Sequence, residues 1–392
     1  MANSILSPTA VTREALRLLH QKCNFIGAIN RQYDDSFARD GARIGDSLKI
    51  RLPNQYVVRE GAELSVQDTA ETSTTLQVAT QKGVDMNFSS AELTLSLDDF
   101  SRRVLEPAIG VLAAAIEADA LSMRRDVFHQ VDSQGQALTF ARLLAGRKKL
   151  EDSLTPPGNR SALLNTTDNA DLVDALKGLF HDDDGLSKQY REGSMGRTAG
   201  FDFFENTHLS TQARGGANGN YLVNGAGQTG ASITVDGGSG AINAGEVITI
   251  AGVFSVHPET KAPTGRLQQF VVTADYAGGA GAIPVSPALV TGGAGRTVSG
   301  SPADNAQVTV SGTANQPYGQ SLLFHEDAFT FATADLHMPK GVDWAAREVF
   351  DGISMRVVRQ YDINNDKFPC RIDVMYGFKT LRPQLACRLA CN

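Results

Sequence analysis

Cysteine is scarce, with four residues in a chain of 392. That is too few for a disulfide scaffold, and a chain this long buries a core without such staples. Cys23 and Cys370 stand alone, while Cys387 and Cys391 sit four apart with no CxxC and no neighbouring histidine cluster. The usual zinc spacings are therefore excluded and reduced thiols are expected. Basic residues are in deficit as well, 36 against 43 acidic ones, for a net charge of −7. Binding nucleic acid through a large positive surface is excluded, whereas merely enclosing it is not. Long hydrophobic runs are missing: the most apolar helical stretch, 109–121, is interrupted by Glu117 and Asp119 and is too short to span a bilayer. The N-terminal residues show no basic start followed by an apolar run, so no signal peptide is expected and the chain is expected to stay in a cytoplasm.

Catalytic signatures are absent too. Gly225-Ala-Gly227 and Gly292-Gly-Ala-Gly295 have the wrong spacing for a dinucleotide fingerprint and read as turns. No phosphate-binding GxxxxGKS/T loop and no GxSxG elbow occurs, and Ser194 lies in Gly193-Ser-Met-Gly196 without elbow spacing. His181-Asp-Asp-Asp184 could suggest a cation site, but adjacent side chains in a loop point apart, and a solvated loop is the reading. His325-Glu326-Asp327 reads as a strand-end turn. Glu117 and Asp119 face opposite ways on a helix and do not form an acid–base pair. No catalytic, cofactor-binding or metal residues are nominated.

What is present is a globular composition, 42% hydrophobic and 20% charged, and length enough for two to three domains. The first thirty residues read as helix, with Thr12 as a cap and Ala15, Leu16, Leu18 and Leu19 as a stripe. Alternation at Leu48, Ile50 and Leu52, and again from Leu76 and Val78 to Val84, Met86 and Phe88, predicts a long two-stranded hairpin. Its centre, 58–71, is charged and has few large apolar residues, so the hairpin cannot bury both faces within its own chain. Asp98 or Asp99 caps the next element. Ile109, Leu112, Ile116, Ala120, Met123 and Val127 then recur at steps of three and four, predicting a helix over 107–130. At 1.5 Å per residue it would be a rod of about 36 Å.

Residues 136–210 alternate short helices and strands: a basic helix at 142–152, a buried strand at 161–165, and a helix capped by Asp168 or Asn169. From 212 to about 318 the chain turns rich in Gly, Ala, Ser, Thr and Val. Short strands at 232–235, 246–250, 268–273 and 307–310 predict a small β-barrel or sandwich inserted into another domain. Mixed sequence resumes at 322–324 and 329–332, and the last fifty residues predict a hairpin, 353–361 and 371–378, turning at Asn365-Asp366. Several of these parts cannot satisfy themselves alone, which points to assembly.

Four stretches carry a family resemblance. They are Gly193-Ser-Met-Gly196-Arg-Thr-Ala-Gly200-Phe-Asp, Ala244-Gly-Glu-Val-Ile-Thr-Ile-Ala-Gly-Val253, Pro258-Glu-Thr-Lys-Ala-Pro-Thr-Gly-Arg-Leu-Gln-Gln-Phe-Val-Val272 and Cys370-Arg-Ile-Asp-Val-Met-Tyr-Gly-Phe-Lys-Thr-Leu-Arg-Pro383. In this order the chain resembles the major capsid (coat) proteins of tailed bacteriophages, with the Hong Kong 97-type fold. Within these it is most like the short-tailed-phage branch that carries an inserted β domain. The resemblance implies an α+β fold with an N-terminal arm at 1–40 lying across a neighbour and an extended loop at 41–90. It implies a peripheral domain at 91–135 and 346–392 with spine helix 107–130, an axial domain at 136–211 and 319–345, and an inserted β domain at 212–318. The implied function is a shell protein that self-assembles into an icosahedral capsid around double-stranded DNA, with no catalysis.

Implied partners are further copies in pentamers and hexamers, a separate scaffolding protein, a portal protein, a decoration or cementing protein, and packaged DNA held without sequence recognition. No membrane partner and no cofactor is implied, and assembly in the host cytoplasm is expected. Arg51, Arg59, Glu60, Glu63, Asp68 and Glu71 on the extended loop are the candidate inter-subunit contacts. Exposed ion pairs give about 0.2–1 kcal/mol each, so repetition must carry the shell. The net negative charge suits a container through which DNA slides without sticking. No Lys–Asn pair with a nearby Glu suggests covalent cross-linking, and no coiled coil precedes the arm, so no fused scaffolding segment is expected. Rival readings are an encapsulin-type nanocompartment, an enzyme with an appended β-rich binding domain, and a decoration protein.

Overall fold

The computed structural model describes residues 8–31, 47–56, 58–59, 61–64, 66, 73–88, 105–176, 196–350, 353–364 and 367–391. The chain divides into two compact units, the first made of Met1–Arg51, Ser73–Leu121 and Phe329–Lys379, the second of Leu52–Thr72, Ser122–Ala328 and Thr380–Asn392. Two expected boundaries fall inside these units: 329–345 belongs with the first, and 380–392 with the second.

The first unit opens with helices α1 (Pro8–Lys22) and α2 (Asn24–Ala28). Strands β1 (Ser47–Arg51) and β2 (Ser73–Gln77) pair antiparallel, Leu48 facing Leu76 and Ile50 facing Thr74. Strand β3 (Thr80–Phe88) does not continue that hairpin as its alternation suggested, but pairs with the terminal β20 (Phe368–Thr380) from Phe88↔Phe368 to Thr80↔Tyr376. Alternation fixes that a strand forms and leaves its partner open. Helix α3 (Glu106–Leu121) buries Ile109, Leu112, Ala113, Ile116, Ala120 and Leu121, the expected stripe. It is shorter than the expected 107–130, because the chain tightens into a 3-10 turn at Ser122–Asp126 and then turns extended. Met123 and Val127 stay buried there, so the apolar spacing persists while the helix does not. At about 24 Å by its 16 residues, α3 spans two-thirds of the expected rod.

Strands β17 (Phe329–Ala334), β18 (Trp344–Phe350) and β19 (Ile353–Arg359) complete a five-stranded sheet in the order β17-β20-β19-β18, with β3 also on β20. β19 and β20 form the expected terminal hairpin, Arg356 opposite Asp373. Its expected turn residues Asn365 and Asp366, like the expected caps Asp98 and Asp99, lie outside the described residues. Where described, the expected arm packs through α1 on α3 and β18, with Ala15, Leu16 and Leu19 fully buried. An amphipathic helix settles on the nearest apolar groove, and here its own chain supplies one.

The second unit holds a six-stranded sheet and a barrel. The sheet order is β4 (Gln130–Asp132), β21 (Ala386–Ala390), β16 (Gln320–His325), β5 (Arg160–Leu164), β7 (Phe201–Glu205) and β6 (Arg197–Thr198). β5, β16 and β21 are buried along their whole length, so each reads as a continuous run rather than an alternation. Helices α4 (Phe140–Asp152) and α5 (Thr166–Leu176) cover the sheet through Leu143, Leu150 and Leu172, which join Leu164, Leu323 and Leu389 in one core. The cap of α5 is Asn165 rather than Asp168 or Asn169. Its Oδ1 accepts the Asp168 N–H at 2.7 Å while its amide donates to the Asp168 carboxylate at 2.9 Å.

The inserted segment closes into a six-stranded barrel in the order β10-β13-β12-β11-β14-β9. These strands are β9 (Tyr221–Val223), β10 (Gly230–Asp236), β11 (Val247–Val256), β12 (Pro263–Val272), β13 (Gly281–Leu289) and β14 (Gln307–Val310). Inward positions Ile233, Val235, Ile248, Ile250, Phe270 and Val308 are fully buried. Closure leaves no unpaired sheet edge. The chain enters through β8 (Gln212–Ala213) and leaves through β15 (Pro317–Tyr318), which pair with each other.

Candidate assembly surfaces

Leu48 and Ile50, at alternate positions of β1, pack half-buried on Leu76, Val78, Ala332, Ala334, Leu336 and Met375. Their neighbours Ser47, Lys49 and Arg51 face solvent. Burial thus covers one face of the strand pair. Its seat is close: a Cβ on Gly377 would overlap the Gln77 carbonyl, and the Lys379 ammonium donates to the Thr75 carbonyl at 2.7 Å. Only glycine lets β20 approach β2 this closely.

Between β1 and β2 the described residues of the loop include no buried apolar side chain. Tyr56, Val58, Leu64 and Val66 are exposed by 56, 89, 85 and 79%. Four large apolar side chains this bare in one short segment go beyond the singly scattered apolar residues of an ordinary surface. Arg59 donates to the carbonyls of Gly61 and Glu63, at 2.5 and 2.8 Å, and so pins the loop's own backbone. Gly61 turns there at φ +84°. Arg51 and Glu63 are exposed, while Glu60, Asp68 and Glu71 lie outside the described residues. Tyr56, Val58, Leu64 and Val66 lie among these expected charged positions and were not singled out from the sequence. Their signal was there: tyrosine, leucine and two valines spaced among charges.

The two carboxylates of α3 do diverge. Glu117 is buried and accepts the N–H groups of Phe25 and Ile26 at 2.6 and 3.5 Å, capping α2 from another helix. Asp119 takes the Lys82 ammonium at 2.6 Å and the Tyr376 hydroxyl at 2.5 Å. Burial, with the Asp119 bond, holds the Tyr376 phenol well above its ordinary range. Both acids are structural pins. The sequence signal for them was a charge inside an apolar helix stripe.

In the second unit the barrel is fastened to the sheet by polar contacts. The Gln269 amide bonds both backbone groups of Gln130 at 3.0 Å, copying a strand pairing with a side chain. The Lys149 ammonium reaches the same Gln269 oxygen at 2.6 Å, Ser311 donates to Asp132 at 3.1 Å, and buried Arg388 donates to the Gly245 carbonyl at 2.7 Å. Burial brings the Arg388 and Arg124 guanidiniums down to about 10. At the barrel mouth the Glu246 carboxylate accepts Gly215 and Asn243 N–H at 2.5 and 2.8 Å, and burial pushes its pKa up.

The histidines described here serve turns and packing. His325 closes a strand-end turn, its Nδ1 accepting the Asp327 N–H at 3.2 Å. Buried His129 is pushed down to about 3 by desolvation and then by Lys149, and its Nε2 lies 2.9 Å from the Ser153 hydroxyl. Ser194 and His181–Asp184 lie outside the described residues. Among the described residues no group of three His, Cys, Asp or Glu could hold a metal ion, and no helix is long and apolar enough to cross a membrane.

A family model described as P22 coat protein, gene protein 5, matches residues 37–388. No curated protein matches the sequence. Among solved structures, a chain of Mycobacterium phage Che8 is similar at 12% identity, covering 92% of this chain and 89% of that one, with a TM-score of 0.48. The mature capsid of bacteriophage PhiM1 gives 9% identity, coverage of 88 and 82%, and a TM-score of 0.42. A virus-like particle from Pyrococcus furiosus gives 7% identity, coverage of 97 and 98%, and a TM-score of 0.42.

Proposed function

The chain belongs to the P22 coat protein family and is a major capsid protein, structural rather than enzymatic, that forms a virion shell; from this we propose how its parts divide the labour of assembly. The extended loop at 41–90 reaches over an adjacent subunit and buries Tyr56, Val58, Leu64 and Val66 there. Arg51, Arg59, Glu60, Glu63, Asp68 and Glu71 surround that contact and set its register by charge. The first compact unit acts as the peripheral domain, the six-stranded sheet as the axial domain at capsomer centres, and the barrel at 212–318 as an outer, inserted domain.

The bare apolar quartet carries this reading. Burying four such side chains is worth about 1.5–3 kcal/mol each in gross transfer energy, before the ordering of the loop is subtracted. Surface ion pairs contribute far less. A shell repeats the contact in every subunit, so a modest net gain per contact makes a durable particle.

The shell is icosahedral, built of pentamers and hexamers around double-stranded DNA, and its net charge of −7 keeps the packaged strand from sticking. Assembly takes place in the host cytoplasm with a separate scaffolding protein and a portal protein, and a decoration protein joins the outer surface. Expression of the chain alone and with neighbouring phage genes, followed by sedimentation, tests the partners. Uniform closed particles only in the second case support the scaffold; equal yields without any other gene contradict it.

A further inference from the structure

The sequence contains two Asn-Gly steps, Asn218-Gly219 just before β9 of the barrel and Asn224-Gly225 just after it. Asparagine before glycine is the pair most open to attack by the following backbone nitrogen, because no Cβ crowds the approach. Space is equal at the two steps: a Cβ on either glycine would meet nothing within 4 Å, and the glycines turn at φ +80° and +90°. Both asparagines are exposed. Hydrogen bonding separates them.

The peptide joining Asn224 to Gly225 is held at both ends. Its carbonyl accepts the Gln228 side-chain amide at 2.7 Å, and its N–H donates to Asp304 Oδ1 at 2.8 Å. The Asn224 N–H is fixed on the Thr234 carbonyl at 3.0 Å. The nitrogen that would have to attack is therefore bound, and the carboxylate beside it opposes loss of its proton. The peptide joining Asn218 to Gly219 is not held this way: among the described residues neither its carbonyl nor its N–H has a hydrogen-bond partner. Asn218 itself rests on Ser239, whose carbonyl takes its N–H at 3.4 Å and whose hydroxyl takes its Nδ2 at 3.1 Å. The side-chain bond is exposed, so water replaces it at little cost.

We propose that Asn218 is a site of spontaneous deamidation in the folded protein, and that Asp304 spares Asn224. The Gly219 nitrogen gives up its proton to solvent and bonds Asn218 Cγ. The Cγ–Nδ2 bond breaks, and the departing nitrogen takes up a proton and leaves as ammonia. Water then opens the succinimide at either carbonyl, giving aspartate or isoaspartate. The product sets a negative charge against Ser239 in a tight seam. There the Ala217 N–H meets the Ala241 carbonyl at 3.0 Å, and a Cβ on Gly240 would overlap the Gly216 carbonyl. The isoaspartate route also adds a carbon to the main chain at that seam. The barrel thus takes on a one-way charge change as the protein ages, independently of the shell reading.

The test incubates the full chain in mildly alkaline heavy-oxygen water and follows both sites by peptide mapping, with isoaspartate scored by enzymatic methylation. The expected result is conversion at Asn218, with heavy oxygen incorporated, at least about tenfold faster than at Asn224, where a charge-assisted hydrogen bond must break first. In the same chain unfolded in denaturant the two rates should converge. Asp304→Ala removes an exposed side chain and should raise the Asn224 rate in the folded protein at least about tenfold. Equal rates at the two sites of the folded wild type, or a faster Asn224, overturn the inference. So does a folded chain that keeps Asn218 intact while its unfolded counterpart converts. Rates that stay as far apart after unfolding assign the difference to sequence and overturn it as well. An unchanged Asn224 rate in the folded Asp304 variant contradicts the protective role of that carboxylate.

Discussion

The carboxylate of Glu117, buried in the middle of α3, accepts the backbone N–H of Phe25 at 2.6 Å. An acid on one helix thereby caps the start of another, 92 residues away in sequence. Phe25, once held, packs edge-on against Phe329 with ring centres 5.6 Å apart. Glu117→Ala orphans two buried N–H groups and should destabilise free subunits by about 1–3 kcal/mol in urea unfolding. Glu117→Gln keeps an acceptor in place and should lose less. Equal losses from the two variants would show that the cap does not matter.

Gly377→Ala should unseat the base of the extended loop. The added methyl would overlap the Gln77 carbonyl, which is backbone and cannot rotate away. About 1–3 kcal/mol of strain is expected, relieved by displacement of β2. Hydrogen exchange should then rise at 73–78 and stay unchanged in the barrel. A uniform rise across the chain would contradict this.

Glu246 gives the barrel a pH dependence. Burial raises its folded-state pKa above the unfolded value of about 4.3. Its contribution is therefore whole below that value and is lost as pH rises through the folded pKa. Glu246→Gln should flatten this part of the stability–pH profile above about pH 4.3 and keep one acceptor for Gly215 and Asn243. Glu246→Ala removes that acceptor and should lose about 1–3 kcal/mol at any pH. Denaturant midpoints at pH 5 and 8 check both; an unchanged slope in the Gln variant contradicts the assignment.

The four thiols should be silent in the native protein. All are buried, and desolvation pushes Cys370, Cys387 and Cys391 up to about 12 and Cys23 higher still. Ellman's reagent at pH 8 should find almost no thiol before denaturant and four after it. Fast reaction of even one native thiol would place it at the surface.

Much of this was legible where a local period decides the structure. Ile109, Leu112 and Ile116 mark the buried stripe of α3 because a helix presents every third and fourth residue. Leu48 and Ile50 mark the seated face of β1 for the matching reason in a strand. The helix end was not legible, since Met123 and Val127 keep the spacing after the backbone has left it. Strand β13 was not expected from the sequence, and it carries Pro284 and Pro287 in the barrel wall, where proline is uncommon inside a strand. The pairing of β3 with β20 joins residues almost three hundred apart, and no local pattern encodes such a partner. The charges of the extended loop drew attention because they are conspicuous in sequence. Tyr56, Val58, Leu64 and Val66 were visible among those charges as residue types, but their exposure appears only once the core is seen to leave them out.

The most direct measurement is electron microscopy of the chain expressed with its neighbouring phage genes, beside a variant with Tyr56, Val58, Leu64 and Val66 all changed to serine. The expected result is uniform closed shells from the wild type and, from the variant, soluble subunits that unfold at the wild-type denaturant midpoint. Shells of normal size and yield from the serine variant would contradict the claim that this loop holds subunits together.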